Sequence, residues 1–206
     1  MSLVLIIIGI TVIVSFSADK NPRLKEQLLF DPYRIKHHNE YYRLISSVLI
    51  HQDFNQNLMH LIFNMVSLYY LGSLIEVQLI AAYGWQLGTI NFALLYILGA
   101  AFSEIYPFIK YQDGQYRSLG ASGAISAVIF AAIIWNPKME IFFLFLPIPI
   151  RAYIFGPLYL AFEYFMMKRG NTGIAHDAHI GGAFFGILFI LLLDPSKGTA
   201  FFHSIF

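Results

Sequence analysis

The chain has 206 residues, of which 58% are apolar and only 12% charged, with a net charge of +1. A soluble domain carries about 25% charged residues, so this composition excludes an ordinary soluble protein, and the near-neutral balance argues against nucleic acid as a partner. Cysteine is absent, which excludes disulfides, thiolate catalysis and a cysteine metal site, along with any reading of the compartment from redox chemistry.

A helix crossing the ~30 Å hydrocarbon layer takes about 20 residues, and the apolar residues fall into blocks of that order. Spans are predicted over 3–16, 58–75, 80–102, 120–135, 151–165 and 177–193. Six spans leave only short loops, so 1–206 reads as a single domain embedded in the lipid bilayer. The first block has no Lys or Arg before it and no small-residue cleavage site after it, which reads as a span rather than a signal peptide. Between the first two spans, Ala18–Arg43 mixes Lys20, Arg23, Lys25, Arg34, Lys36 and Arg43 with Leu24, Leu28, Phe30, Tyr33, Tyr41 and Tyr42. Pro22 and Pro32 punctuate it, and the mixture predicts a folded interfacial loop. After the fourth span Asn136-Pro137-Lys138 breaks the chain, and the apolar stretch 141–150 holds Pro147 and Pro149, which disfavour regular helix.

Polar groups inside a bilayer are costly, so each one in a predicted span is a functional candidate. Three groups stand out. Gly120-Ala121-Ser122-Gly123 opens the fourth span, where a helix N-terminus offers free backbone N–H groups and a positive dipole end to an oxyanion. Helix packing through small residues explains the same run equally simply. His179 opens the sixth span, followed by Gly182 and Gly186, a small-xxx-small face that lets a neighbouring helix approach closely. A neutral imidazole there is able to take a serine proton and return it; an interfacial histidine at a helix end is the plainer alternative. His60 and Asn64 in the second span lie four apart, on one helical face, as an oxyanion-binding pair or as an interhelical hydrogen-bonding pair. Asn is a poor metal ligand and no third ligand is evident, so neither a metal nor a cofactor is implied.

Together these motifs resemble the rhomboid family: His60/Asn64 in the second span, Gly120/Ser122/Gly123 opening the fourth, and Ala178/His179/Gly182/Gly186 opening the sixth. Tyr42-Arg43 resembles the family's Trp-Arg pair in the first loop, and the run 71–76, ending in Glu76, resembles the end of its second helix. The resemblance implies an all-α membrane protein, a six-helix bundle with a folded first loop. It also implies an intramembrane serine endopeptidase that cuts the transmembrane segments of other membrane proteins. Ser122 would be the nucleophile, His179 the base, and His60 and Asn64 the oxyanion donors. The implied machinery is a dyad. Asp177 lies two residues from His179 and on another helical face, His176 reads as a loop residue and His51 as structural.

Two positions depart from the family pattern. Tyr42 replaces the tryptophan, and Ser126 stands where an aromatic commonly packs against the catalytic histidine. A non-catalytic rhomboid-like protein that binds membrane clients is the alternative, and it predicts loss of the dyad. A small transporter predicts paired broken helices, which the sequence lacks. The resemblance further implies a plasma-membrane location, with the N-terminus in the cytosol and the active site open to the exterior. Of the 13 Lys and Arg residues, all but Lys138, Arg151 and Lys197 would then lie outside, against the positive-inside rule.

Overall fold

The computed structural model describes residues 2–52, 54–143, 146–170 and 172–205. Its elements run α1 (Leu3–Lys20), α2 (Pro22–Leu28), α3 (Pro32–His38), α4 (Arg43–Ser46), a 3-10 turn (Ser47–Leu49), α5 (Phe54–Ser67), a π turn (Leu68–Gly72), α6 (Ser73–Ser103), α7 (Ile105–Tyr111), α8 (Ser122–Trp135), β1 (Glu140–Phe143), β2 (Leu146–Arg151), α9 (Ala152–Arg169), α10 (His176–Leu193) and α11 (Ser196–Ile205). This is an all-α membrane bundle with one small hairpin. Leu3–Lys20, 57–111 and His176–Leu193 are long and apolar enough to cross a bilayer, and Ser122–Trp135 is a shorter apolar helix.

The folded first loop is built from two short helices that begin alike. Asn21 accepts hydrogen bonds from the Arg23 and Leu24 N–H groups ahead of Pro22, and Asp31 accepts from the Arg34 N–H ahead of Pro32. A capping side chain followed by proline at the first helical position is what sets a helix start. Arg43, which is buried, draws the loop together: its Nη1 donates to the Leu29 and Glu26 carbonyls at 2.8 and 2.9 Å, and its Nε pairs with Glu40.

The second and third spans differ from their predicted limits. Helix continues from α5 through the π turn into α6 and reverses only at Gly84, whose φ of 78° is open to glycine. A Cβ on Gly88 would strike the Ile80 backbone, so the two halves of α6 meet closely beyond the reversal. Glu76 looked like a span end but lies within helix. Its carboxylate receives the Ser2 hydroxyl at 2.5 Å and the N–H groups of Leu3 and Val4 at 2.6 and 3.4 Å, capping the start of α1. An anion at a helix N-terminus meets free donors and the positive dipole end, which is how a buried charge is accommodated here.

Other limits shift less. α9 extends four residues past its predicted end, α7 forms where a loop was expected, and α11 follows Pro195. The proline-bearing stretch 141–150 is a hairpin, with Glu140 opposite Arg151 and Ile141 opposite Ile150; positions 144–145 of that reading lie outside the described residues.

α8 is the centre of the bundle. It is apolar all round, every residue from Gly123 to Ile133 is buried, and it packs chiefly on α10 and α6. Its 14 residues rise about 21 Å, at 1.5 Å per residue, short of the ~30 Å hydrocarbon layer. One end of α8 therefore lies below the membrane surface. The fold places Ser122 at an end of this helix.

Candidate active site

Glycines bring α8 and α10 together. A Cβ on Gly182 would strike the Gly123 carbonyl, and one on Gly186 the Ala127 carbonyl, so the helices touch backbone to backbone. On the other flank, a Cβ on Gly99 of α6 would come within 2.8 Å of the Ala127 side chain. At this spacing the first residues of α8 and α10 face each other, and Ser122 Oγ lies 2.6 Å from His179 Nε2. That is a short hydrogen bond in which the serine hydroxyl donates to the ring nitrogen.

The loop before Ser122 is held from two sides. The Gly120 N–H donates to the Ser47 carbonyl at 3.0 Å, and the Ala121 N–H to His51 Nε2 at 3.4 Å. Since that nitrogen accepts, the His51 proton is on Nδ1, which donates to Ser15 Oγ at 3.0 Å; Ser15 donates in turn to the Leu49 carbonyl. Burial, reinforced by the neighbouring His60, pushes the His51 imidazole down to about 3, so the ring is neutral, as this chain of bonds requires. Gly120 has φ 118°, and a Cβ there would press on the His60 ring at 2.8 Å. Glycine is thus needed for both backbone and space.

A cavity of about 650 Å³ opens at the serine, lined by His60, Asn57, Tyr116, Ser118, Ser122, His176 and Asp177 among others. Asn57 has non-helical angles inside α5, and its side chain accepts the His60 N–H at 3.1 Å. It therefore caps the membrane part of the helix and sets His60 one turn inside, beside the loop that carries Gly120. His60 Nδ1 is buried without a hydrogen-bond partner among the described residues. Asn64 is buried but does not line the cavity, and its amide donates to the His60 carbonyl at 2.7 Å. Of the expected oxyanion pair, only His60 faces the cavity.

A residue absent from the sequence reading completes the group. Glu163 of α9 is buried, and its carboxylate oxygens meet His179 Nδ1 at 3.0 Å and His176 Nδ1 at 2.5 Å. His176 is the first residue of α10 and not a loop residue. Asp177 directs its carboxylate to the Ala178 N–H at 3.1 Å. The ligand atoms of Glu163, His176 and His179 lie within 4.8 Å of one another, a grouping that could hold a metal ion; here each ring is bonded directly to the carboxylate. Glu163 is the single acid inside the predicted span 151–165, and the cost of an acid in a bilayer was the signal that would have found it. Ser126, one turn below Ser122, hydrogen-bonds the Tyr159 hydroxyl at 2.8 Å. An aromatic thus stands near that position after all, supplied by α9.

The bundle is that of a polytopic membrane protein, with a serine hydroxyl set against an imidazole beside a cavity. Residues 38–196 match the Rhomboid domain, and the chain belongs to the rhomboid family. It is similar to the RHOMBOID-like protein 12, mitochondrial, of Arabidopsis thaliana, at 28% identity over 68% of this chain and 43% of that protein. It is also similar to the Rhomboid protein 1, mitochondrial, of Saccharomyces cerevisiae, at 29% over 71% of this chain and 40% of that protein. The Presenilin-associated rhomboid-like protein, mitochondrial, of Rattus norvegicus is 34% identical over 50% of this chain and 28% of that protein. The chain spans less than half the length of these relatives. Their names overturn the expected plasma-membrane location and its exterior-facing site, since each is a mitochondrial protein. Hydrophobic spans have the same composition in any bilayer of similar thickness, so the residues that identified the fold carried no information on the compartment.

Proposed function

We propose that this chain is an intramembrane serine endopeptidase of a mitochondrial membrane, cutting transmembrane segments of other membrane proteins. The observation that carries the reading is the 2.6 Å Ser122 Oγ–His179 Nε2 hydrogen bond, with Ser122 lining the cavity. Ser122 Oγ attacks the scissile carbonyl carbon while His179 Nε2 takes its proton. The tetrahedral oxyanion forms beside the N–H groups of Ser122, Gly123 and Ala124. These precede the first Ile125-to-Ala121 helical bond and are the free donors of a helix N-terminus. His60 adds a donor from the cavity wall, and Asn64 supports it through the His60 backbone. Collapse breaks the C–N bond, and the amine leaves with the proton from Nε2. Water, deprotonated by the same nitrogen, then hydrolyses the ester and restores Ser122. The substrate helix must unwind locally, because a helical peptide bond is shielded by its own hydrogen bonds.

The test is reporter cleavage by purified protein in liposomes. Ser122→Ala and His179→Ala should each abolish cleavage, and the double variant should be no worse than either, since both disable one step. Cleavage by either single variant at the parental rate would refute the assignment. The alternative, a rhomboid-like protein that binds clients without cutting them, predicts no cleavage by the parent and no fluorophosphonate labelling at Ser122.

A further inference from the structure

We propose that Glu163 is the positioning residue of this site: its carboxylate holds the base by Nδ1, and His176 braces the carboxylate. The inference rests on the hydrolase reading above and extends it from two residues to four.

The argument starts from the tautomer. To accept the Ser122 proton, His179 Nε2 must be bare, so the neutral ring carries its proton on Nδ1. A ring free to choose would place the proton on either nitrogen, and the choice is fixed by what Nδ1 meets. Here it meets Glu163 Oε1 at 3.0 Å. An ionised carboxylate only accepts, so Nδ1–H is the tautomer it selects. Once Nε2 has taken the serine proton, the ring is a cation facing an anion, and the intermediate state is stabilised where charge develops.

A buried carboxylate is useful only if it stays put and stays satisfied. Its second oxygen accepts from His176 Nδ1. Tyr159 stands one turn earlier on α9, where its hydroxyl bonds Ser126 of α8. Hydrogen bonds run from Glu163 to both histidines of α10 and, through His179, to Ser122 of α8. Neither glutamate nor histidine sits at random in an apolar bundle, and here the two rings and the acid are bonded to each other and to the nucleophile. His51, which holds the loop before Ser122, and Asp177, two residues from the base, are each engaged elsewhere.

The experiment compares Glu163→Gln, Glu163→Asp and His176→Gln with the parent in steady-state reporter cleavage, alongside thermal unfolding in detergent. Glutamine has nearly the same shape, but its NH₂ group donates to Nδ1 and favours the wrong tautomer. The corresponding amide substitution in a soluble Ser-His-Asp triad costs about 10⁴ in kcat. In this site kcat of Glu163→Gln should fall on the order of 10²–10⁴-fold with KM within about twofold. Glu163→Asp should recover part of the loss, and His176→Gln should lose about tenfold or less. A folded Glu163→Gln protein with kcat within about threefold of the parent would overturn the proposal, as would a loss confined to KM. If Glu163→Gln fails to fold, fluorophosphonate labelling of Ser122 in folded Glu163→Asp and His176→Gln decides: slowed labelling supports the role and parental rates reject it. Loss of cleavage on chelation, restored by zinc, would make the cluster a metal site and reject it too. Ser122→Ala and His179→Ala are run beside these variants. If they still cleave, the hydrolase reading has failed; if they are dead and Glu163→Gln is fully active, only the present inference has.

Discussion

The seam between α8 and α10 and the loop from α2 to α4 are both rigid, but for opposite reasons. At the seam, Gly182 and Gly186 remove side chains so that backbone meets backbone, and position is set by repulsion. In the loop, Arg43, Arg34 and Lys36 reach out to Glu40, Glu26, Asp31 and Asp113, and position is set by attraction between long side chains. Arg117, just ahead of the loop that leads to Ser122, joins that network through Glu26 and Asp31, at 3.1 and 3.3 Å. The chain thus relies on steric contact inside the bilayer, where water is absent and van der Waals packing drives helix association. It relies on charge at the interface, where water moderates each pair. The 2.6 Å contact between Ser122 and His179 falls on the steric side.

The largest expected effect breaks the seam. Gly182→Leu sets a side chain against the Gly123 carbonyl, which has no rotamer by which to yield. Overpacking typically costs 1–3 kcal/mol and sometimes more, and this site belongs at the upper end. Reporter cleavage should vanish and the unfolding temperature should fall sharply. Gly9→Ala in α1, where nothing lies within 4 Å of an added Cβ, should leave both unchanged or slightly improved. Equal effects at the two glycines would contradict the steric account.

The next effect breaks the loop. Arg43→Ala removes the donor to the Leu29 and Glu26 carbonyls and leaves Glu40 only its longer contact with Arg34, at 3.8 Å. A buried acceptor left without its partner costs about 1–3 kcal/mol, and a loss toward the upper end is expected, read as early protease nicking between α2 and α4. Arg117 is half exposed, so Arg117→Ala should cost under about 1 kcal/mol and its effect should fade in high salt. A larger effect at Arg117 than at Arg43 would invert the comparison.

The smallest effect joins the two regions at His51. Its folded value lies near 3 against an ordinary 6.5, so between those values the unfolded chain binds more protons and stability rises with pH. The contribution is complete above about pH 6.5 and is lost as pH falls toward 3. About one unit below 6.5 the loss is about 1 kcal/mol. His51→Gln should flatten that part of the pH–stability curve; an unchanged curve would show that other groups set it.

What was legible in the sequence followed from how locally each feature is encoded. Ser122, His179 and the glycines after it were readable because motif and helix start coincide in a few residues. The folded loop was readable because prolines, cations and apolar side chains mix within one segment; the caps Asn21 and Asp31 that start its helices came from the structure. The reversal at Gly84 was misplaced because Glu76 and Gln78 supplied polarity earlier, and nothing local shows that the acid of Glu76 is satisfied by the far end of α1. Glu163 was missed for the same reason: its partners lie 13 and 16 residues away on another helix. Asn64 was expected to share the His60 face, but it does not line the cavity, and its amide bonds the carbonyl four residues back in its own helix, an option that spacing alone does not exclude.

The cap that Glu76 places on α1 also fixes how this protein meets a bilayer of changing thickness. A transmembrane helix can match a thinner or thicker membrane by tilting, or by drawing its flanks toward the interface. Sliding α1 along its axis by one turn, about 5.4 Å, would separate the Glu76 carboxylate from the Ser2, Leu3 and Val4 donors and leave a bare charge inside the bundle. The carboxylate acts as a stop, holding α1 at one depth relative to α6. Mismatch must then be absorbed by the lipid or by tilt of the whole bundle, with α1 and α6 moving as one body.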